Sequence, residues 1–395
     1  MKIAGIIAEY DPFHNGHAAQ IQMLRERGAQ TVVVCMSSGA VQRGAVPLLP
    51  EWTRVRAALE SGADLVLALP APYACSGAEA FAAAGVRLLA AAGCDTLAFG
   101  AETPDAGQLL QAAALLRGDA LRDGLRRHLA TGMTFAAARA AAADELCPGA
   151  GALLARPNNI LGVEYCKAIL AQGEPLQPLA LPRLGADHNG TTPGQSGEQV
   201  IASASYLRTL VRRQGMEALR PYLPGSAFDL YRRAAAKGEL ADPDRFGVAL
   251  LALLRSRTPE ELARVRGLSE GLEHRLAAAV RTAADVESLY SALKTKRYPH
   301  ARLRRLALDA AMGCDREMMP ELPPYLHVLG ARRQALPLLK QARLPASTSL
   351  ATLARQGNDC AAVAAMHSKM VDFSLFCREK TLPMGLAFTA KPVVL

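Results

Sequence analysis

Residues 7–20, IAEYDPFHNGHAAQ, decide the fold of this chain. They overlap the short apolar run at residues 3–8 and lead into a helical pattern that stops at Gly28. This order predicts a β-strand that runs through a turn rich in Pro, Asn and Gly into the N-terminus of a helix. The sequence HNGH, residues 14–17, lies at that turn.

The HNGH turn has the chemistry of an anion site. Unpaired backbone N–H groups and the helix dipole both favour a phosphate at a helix N-terminus. Gly16 removes a side chain where a phosphate must approach closely, and His14 and His17 are spaced so that both face the turn. Two imidazoles in that position are able to donate hydrogen bonds to charge that develops during phosphoryl transfer. A metal-binding pair and two surface histidines are the alternatives for an isolated motif of this kind.

Further apolar runs alternate with helical patterns along the first part of the chain. Residues 31–36 (TVVVCM), 64–69 (DLVLAL) and 96–99 are typical of strands buried on both faces of a parallel sheet. Helical patterns at residues 51–61 and 76–92 separate them. The alternation predicts an α/β fold with a doubly wound parallel sheet, whose strand ends share one edge with the HNGH turn.

The remaining chain is mainly helical. The pattern of residues 105–144 predicts two or three helices, which form either an insertion or a cover for the site. The pattern of residues 177–181 predicts a final strand. From about residue 215 the patterns indicate helix after helix, and residues 327–339 indicate a small terminal element.

Length and composition exclude several classes of protein. The 395 residues are enough for two or three domains with large cores. No uncharged apolar run approaches the roughly 18 residues that span a bilayer, and the N-terminus lacks the pattern of a signal peptide. The eight cysteines are scattered and form no CxxC pair, which favours reduced thiols over a zinc site or disulfides. We therefore expect a cytoplasmic protein that does not enter a membrane.

Positive charge is concentrated in one third of the chain. The net charge is +9, and residues 201–320 hold 21 Lys and Arg against 14 Asp and Glu. The strongest stretch is KTKRYPHARLRR, residues 294–305, where six cations and Tyr298 suit a phosphate backbone and a stacked base. RNA is the polyanion we expect in the cytoplasm, and solvated basic helices are the alternative.

These motifs carry a family resemblance. The HNGH sequence resembles the HxGH motif of nucleotidyltransferases and class I aminoacyl-tRNA synthetases. The longer string EYDPFHNGH, residues 9–17, is similar to that of the bacterial tRNA(Met) cytidine acetate ligases, which usually have Asn in place of Asp11. Residues 156–165 (RPNNILGVEY), 201–208 (IASASYLR) and 294–305 also match that family, so the resemblance covers most of the first 305 residues.

The resemblance implies a fold and a reaction. It implies a nucleotidyltransferase domain of the Rossmann-like HUP class over residues 1–210, with a helical insertion at about 105–150. A basic helical tRNA-binding region over residues 211–320 and a small region of unknown role over 321–395 would follow. The implied reaction is ATP-dependent activation of acetate to acetyl-adenylate, then acetyl transfer to N4 of the wobble cytidine of elongator tRNA(Met). Mg²⁺ is expected on the ATP phosphates, although no carboxylate cluster indicates a protein-bound metal; the acetate pocket and the oligomeric state are left open.

The resemblance also implies which residues act. His14 and His17 would be catalytic and stabilise the transition state at the α-phosphate. The residues expected to contact ATP lie in the first turn and in four later segments: Ile7, Ala8, Glu9, Tyr10, Asp11, Pro12, Phe13, His14, Asn15, Gly16, His17, Ala18, Ala19, Gln20, Gly100, Asn158, Asn159, Arg183, Ser205 and Arg208. The residues expected to contact tRNA are Lys294, Lys296, Arg297, Arg302 and Arg305.

Two other functions compete with this one. A small-molecule adenylyltransferase of cofactor biosynthesis shares the HxGH motif, but such enzymes are usually shorter and lack a long basic helical region. A catalytically silent RNA-binding protein would keep the fold as a scaffold. The intact His14, His17, Ser205 and Arg208 argue against a silent scaffold.

Overall fold

The computed structural model describes residues 1–173, 175–184, 193–196, 199–268, 271–295 and 298–395. Strands in these residues are short and mostly apolar. They are β1 (Ile3–Ala8), β2 (Thr31–Ser37), β3 (Leu65–Leu69), β4 (Thr96–Ala101), β5 (Gln177–Pro182), β6 (Gly194–Ser196), β7 (Gln199–Ile201), β8 (Leu326–Ala331), β9 (Ala346–Ser347) and β10 (Val393–Val394).

The α-helices fall into three groups along the chain. Those between the first strands and in the insertion are α1 (Asn15–Glu26), α2 (Glu51–Glu60), α3 (Ala71–Ala74), α4 (Ala78–Ala91), α5 (Ala106–Arg117), α6 (Asp119–Ala130), α7 (Phe135–Leu146), α8 (Ala150–Leu154) and α9 (Pro157–Gln172). The middle group comprises α10 (Ala204–Gln214), α11 (Gly225–Ala236), α12 (Pro243–Arg255), α13 (Pro259–Ala263), α14 (Leu272–Thr282), α15 (Val286–Leu293) and α16 (His300–Met312). The last are α17 (Leu350–Ala354), α18 (Asn358–Phe376) and α19 (Leu386–Thr389), and 3-10 helices span Met216–Tyr222 and Arg333–Gln341.

The main sheet has the strand order β10-β8-β3-β2-β1-β4-β5. Strands β1 to β5 are parallel, with Ile6 paired to Val34 of β2 and to Ala98 of β4. Helices α4 and α9 pack on one face, and α1, α2 and α11 pack on the other. The predicted α/β fold with a mostly parallel sheet is confirmed. The order reverses at β1, so the HNGH turn lies at the switch point where such sheets bind ligands.

The C-terminal residues contribute to this sheet rather than standing apart from it. Strand β8 runs antiparallel to β3, β10 runs parallel to β8, and every residue of β8 is buried. The sequence predicts a small separate region over residues 321–395 and a small element at residues 327–339, but not that this element extends the sheet. Pairing between strands so distant in the chain leaves no local signal.

The middle helices form a third cluster against the edge of the α/β part. Helices α12 to α16 share one apolar core with α18, and Arg266 donates two hydrogen bonds to Asp309 at 2.7 and 2.9 Å and one to the carbonyl of Cys75 at 3.0 Å. The helical region is thereby attached to the end of α3. In the described part of the chain, every helix is too short or too polar to cross a membrane.

A buried arginine fixes the carboxyl ends of β1 and β2. Arg54 of α2 is 1% exposed. Its guanidinium donates hydrogen bonds to the carbonyl oxygens of Glu9 and Ser37, both at 2.8 Å, and of Leu49 at 3.2 Å. A buried cation of this kind is tolerated because its N–H groups are satisfied. The turn that follows β1 therefore depends on Arg54.

We expect Arg54→Met to lower the free energy of unfolding by about 3 kcal/mol. The methionine keeps most of the apolar stem but removes the donor from two buried carbonyls and one partly buried carbonyl, each of which costs about 1–3 kcal/mol before water relieves part of it. Denaturant unfolding would measure the change. Arg56→Met on the same helix is the control, because Arg56 forms an exposed pair with Glu60 whose loss should cost less than about 0.5 kcal/mol. Equal losses for the two variants would contradict this role of Arg54.

Candidate active site

The HNGH turn is stabilised by its own histidines. His14 is the N-cap of α1 and its Nδ1 accepts a hydrogen bond from the Gly16 N–H at 3.1 Å. In return, the His14 N–H donates to Nδ1 of His17 at 3.3 Å. The two imidazole rings stack with centroids 3.7 Å apart. This is a reciprocal capping box built from two histidines, so the motif is also the local folding signal.

The cap determines which nitrogen of each ring carries a proton. A backbone N–H can only donate, so Nδ1 of both rings is unprotonated and the neutral tautomer has its hydrogen on Nε2. Burial, with Arg183 and Arg208 nearby, lowers the pKa of His14 to about 3. Burial and the neighbouring His14 hold the pKa of His17 well below its usual range. Both rings are therefore neutral Nε2–H donors at pH 7.

Long-range hydrogen bonds hold the turn against the rest of the chain. The Asn15 side-chain amide donates to the carbonyl oxygens of Val200 and Pro221 at 3.0 and 3.1 Å. The Phe13 N–H donates to the hydroxyl of Tyr231 at 2.9 Å. Asn15 and Phe13 thus face the protein and support the turn from behind.

Asp11 is the centre of a buried charge cluster beside the turn. Its carboxylate lies 2.5 Å from the guanidinium of Arg43 and accepts from the Leu48 N–H at 2.6 Å. Arg208 donates to the Asp11 carbonyl at 2.5 Å and lies 3.6 Å from the carboxylate. Burial alone would raise the pKa of Asp11, but Arg43 and Arg208 outweigh it and lower that pKa to about 2. In the sequence, Asp11 stands where the resembling family usually has Asn, and no local pattern predicts its partner Arg43.

The opposite wall of the site is the N-terminus of α9. Glu102 accepts hydrogen bonds from the backbone N–H groups of Asn158 and Asn159 and from the Asn158 side chain. Asn159 is fully buried and bonded to Thr103. The side-chain oxygen of Asn158, by contrast, accepts a hydrogen bond from the Arg183 guanidinium at 2.7 Å. Of the two asparagines, Asn158 is the one on the cavity.

A cavity of about 270 Å³ joins these two walls at the carboxyl ends of β1, β4 and β5. Twelve of the residues predicted to contact ATP line it: Ile7, Ala8, Glu9, Tyr10, Asp11, His14, Gly16, His17, Gln20, Gly100, Asn158 and Arg183. The remaining eight predicted residues do not line the cavity, and some of them, such as Phe13 and Asn15, support the turn from behind. They are Pro12, Phe13, Asn15, Ala18, Ala19, Asn159, Ser205 and Arg208. Gly100 has open space beside it, since an added Cβ would meet only Arg183, at 3.4 Å.

Part of the lining was missed from the sequence. Ser203 lines the cavity and caps α10 through the Tyr206 N–H, whereas Ser205 is exposed. The family resemblance predicts the ligand contact at Ser205, not at Ser203. Phe99, Leu161 and Tyr165 supply an apolar wall, and they were missed because apolar residues in strands and helices look like ordinary core.

The basic stretch lies on and before α16. Lys294 donates to the Tyr298 carbonyl at 2.8 Å, and the Arg302 guanidinium lies 4.7 Å from the centre of the Tyr298 ring. Arg305 donates to the Gln42 carbonyl at 2.8 Å. Lys296 and Arg297 lie outside the described residues. Among the described residues, no three His, Cys, Asp or Glu side chains are grouped so as to hold a metal ion.

Comparisons with known proteins agree with this geometry. The sequence model of the HIGH Nucleotidyl Transferase family matches residues 1–380. The tRNA(Met) cytidine acetate ligase of Syntrophotalea carbinolica is 36% identical over 371 residues, which are 90% of this chain and 87% of that protein. The protein of the same name from Bacillus subtilis strain 168 is 34% identical over 361 residues, 89% of this chain and 86% of that protein.

Solved structures give the same result. Crystal structures of Thermotoga maritima TmcAL, apo in form I and bound with alpha-thio ATP in form II, are each 27% identical to this chain. Their TM-scores are 0.91 and 0.89, and both comparisons cover 100% of each chain. The chain therefore belongs to the HIGH nucleotidyltransferase family and, within it, to the tRNA(Met) cytidine acetate ligases.

Proposed function

We propose that this chain uses ATP to activate acetate as acetyl-adenylate and transfers the acetyl group to N4 of the wobble cytidine of elongator tRNA(Met). The observation that carries the proposal is the pair of neutral, stacked histidines at the cavity, on the turn after β1. The names of the relatives supply tRNA(Met), cytidine and acetate, and a structural neighbour binds alpha-thio ATP. We place the reaction in the cytoplasm, where ATP and tRNA meet.

In the first step an acetate oxygen attacks the α-phosphorus of ATP and pyrophosphate leaves. Negative charge grows on the phosphoryl oxygens, and donors that are already oriented stabilise it without rearranging. The Nε2–H groups of His14 and His17 are such donors, because each ring is fixed by its cap. Neither ring removes a proton in this step.

Other cavity residues would bind the nucleotide. Arg183, positioned by Asn158, faces the site with a positive charge, and Gly100 leaves room for the adenosine. Arg208 is held near His14 by its hydrogen bond to the Asp11 carbonyl, and it adds positive electrostatic potential there. Mg²⁺ would enter with the ATP phosphates, whose oxygens are its preferred ligands.

In the second step the exocyclic amine of the cytidine attacks the acetyl carbon and AMP leaves. Adenylation is required because acetate itself is a poor acylating agent. We assign the ATP chemistry to residues 1–210 and RNA binding to residues 211–320. In the latter, the basic stretch at residues 294–305 supplies phosphate contacts, including those predicted at Lys296, Arg297 and Arg302.

We expect His17→Ala to lower acetate-dependent ATP–pyrophosphate exchange at least a hundredfold and to leave tRNA affinity nearly unchanged. Loss of one oriented donor to a developing oxyanion typically costs on the order of 3 kcal/mol. The control is His274→Ala, because the side chain of His274 is 89% exposed on α14. Exchange by His17→Ala within a few-fold of wild type would contradict the proposed role of the motif.

The ring nitrogens of His14 and His17 should not titrate between pH 5.5 and 8. Because burial lowers both pKa values, the neutral form persists as the pH falls through the usual histidine range near 6.5. Nitrogen-15 NMR of histidine-labelled protein, assigned with His14→Gln and His17→Gln, should show protonated Nε2 and unprotonated Nδ1 throughout. An inflection near pH 6.5 for either active-site ring would refute the neutral-donor mechanism.

Neutralising Lys296, Arg297 and Arg302 to Gln should separate the two steps. Exchange without tRNA should persist, because these residues are distant in sequence from the ATP-binding segments, while acetyl transfer to tRNA should fall. The logarithm of the tRNA binding constant falls linearly with the logarithm of the salt concentration. The magnitude of that slope should decrease by about 0.7 to 0.9 for each phosphate contact removed.

The matched control neutralises Arg122, Arg126 and Arg127, three exposed arginines of α6, and so changes the net charge equally. Thermal unfolding of both triple variants would exclude a loss of packing, since arginine stems also cover apolar surface. A stable Lys296, Arg297 and Arg302 variant with wild-type tRNA affinity and salt slope would show that the stretch is a solvated surface.

A further inference from the structure

Helix α16 packs directly on a loop of the α/β part. We name residues 42–44 the β2 loop, because they follow β2. Arg305 of α16 donates to the Gln42 carbonyl at 2.8 Å. A Cβ on Gly44 would lie 2.5 Å from the Arg305 nitrogen and 2.6 Å from the Arg304 carbonyl carbon, and Gly44 has a φ of +76°. Only glycine allows the two backbones to approach this closely.

The same loop holds two acidic residues of the cavity. The Gln42 N–H donates to the Glu9 carboxylate at 2.7 Å. The Arg43 guanidinium contacts Asp11 at 2.5 Å and lies 3.7 Å from Glu9. Asp11 in turn holds Arg208. A short series of polar contacts therefore runs from α16 through the β2 loop to Glu9 and Asp11, just before the histidines, and on to Arg208.

We propose that Arg305 is a positioning residue for the adenylation site, acting through the β2 loop, and not a contact to an RNA phosphate. The proposal rests on the function proposed above. The Arg305 side chain is half-buried, and it directs an N–H group at a carbonyl of the α/β part. A residue in this position supports Glu9, Asp11 and Arg208 from behind, whereas Arg302, one turn earlier, lies over Tyr298.

The position of α16 is fixed independently of Arg305. Asp309, one turn further along α16, binds Arg266, which also donates to the carbonyl of Cys75 at the end of α3. Removal of the Arg305 guanidinium should therefore leave the helix in place and release only the β2 loop. This separates an effect on the site from an effect on the fold.

The test compares Arg305→Met, Arg305→Lys and Arg304→Met in acetate-dependent ATP–pyrophosphate exchange without tRNA. Methionine keeps the stem and removes the donors, and lysine restores one donor of similar reach. Arg304→Met is the matched control, because the Arg304 guanidinium lies over the Tyr290 ring at 5.5 Å and faces α15. Thermal midpoints of all variants are measured alongside, and rates are divided by the folded fraction.

We expect Arg305→Met to lower the exchange kcat about tenfold or more, because small displacements of catalytic groups are costly. Arg305→Lys should recover most of this loss, Arg304→Met should retain the wild-type rate, and the salt slope of tRNA binding should not change in Arg305→Met. Gly44→Ala should lower exchange in the same way, with Arg305 intact, by pushing the β2 loop away from α16.

Wild-type exchange by Arg305→Met, with a salt slope of tRNA binding reduced by about one phosphate contact, would overturn the proposal and make Arg305 an RNA contact. An equal loss in Arg305→Lys and Arg305→Met would also overturn it, because the loss would then not follow the hydrogen bond. Absence of exchange in the wild-type chain would instead contradict the proposed function.

Discussion

The buried carboxylate of Asp11 is the constraint on which the site depends. A charge without solvent must be paired and hydrogen-bonded, since an isolated one would cost several kcal/mol. Arg43 comes from the loop after β2, and Arg208 comes from α10, 197 residues along the chain from Asp11. The contacts of one buried carboxylate therefore tie these segments together at the floor of the cavity.

The histidine pair combines local folding with chemistry. An N-cap normally uses Ser, Thr, Asp or Asn, whose oxygen accepts a backbone N–H. In this chain Nδ1 of His14 takes that role, and the ring then has a second nitrogen left to face the ligand. A serine cap would leave no such group. The positive charge of the site comes from Arg183 and Arg208, so the imidazoles contribute orientation rather than net charge.

Much of this architecture could be predicted from the sequence because its signals are local. Continuous apolar runs identified β1 to β5, and the HNGH turn identified the start of α1. The choice between Asn158 and Asn159 could not be predicted, because it depends on Glu102 and Thr103, which follow β4 and bind the start of α9. The partner of Asp11 and the antiparallel pairing of β8 with β3 were also beyond reach. In both cases the structure depends on a contact between residues that are distant in sequence, and neither local sequence is unusual on its own.

The antiparallel strand β8 has a consequence for biosynthesis. Strand β3 is translated early, but its outer neighbour is encoded near the other end of the chain. While the ribosome produces the intervening helices, the nascent sheet has an uncovered edge of entirely apolar residues, LVLAL. Such an edge is a template for pairing with other chains, and chaperones protect intermediates of this kind. Pairing that must wait for residues 326–331 has a high contact order and is correspondingly slow. The turn that carries His14 and His17 therefore lies on a sheet whose outer edge is paired only late in synthesis.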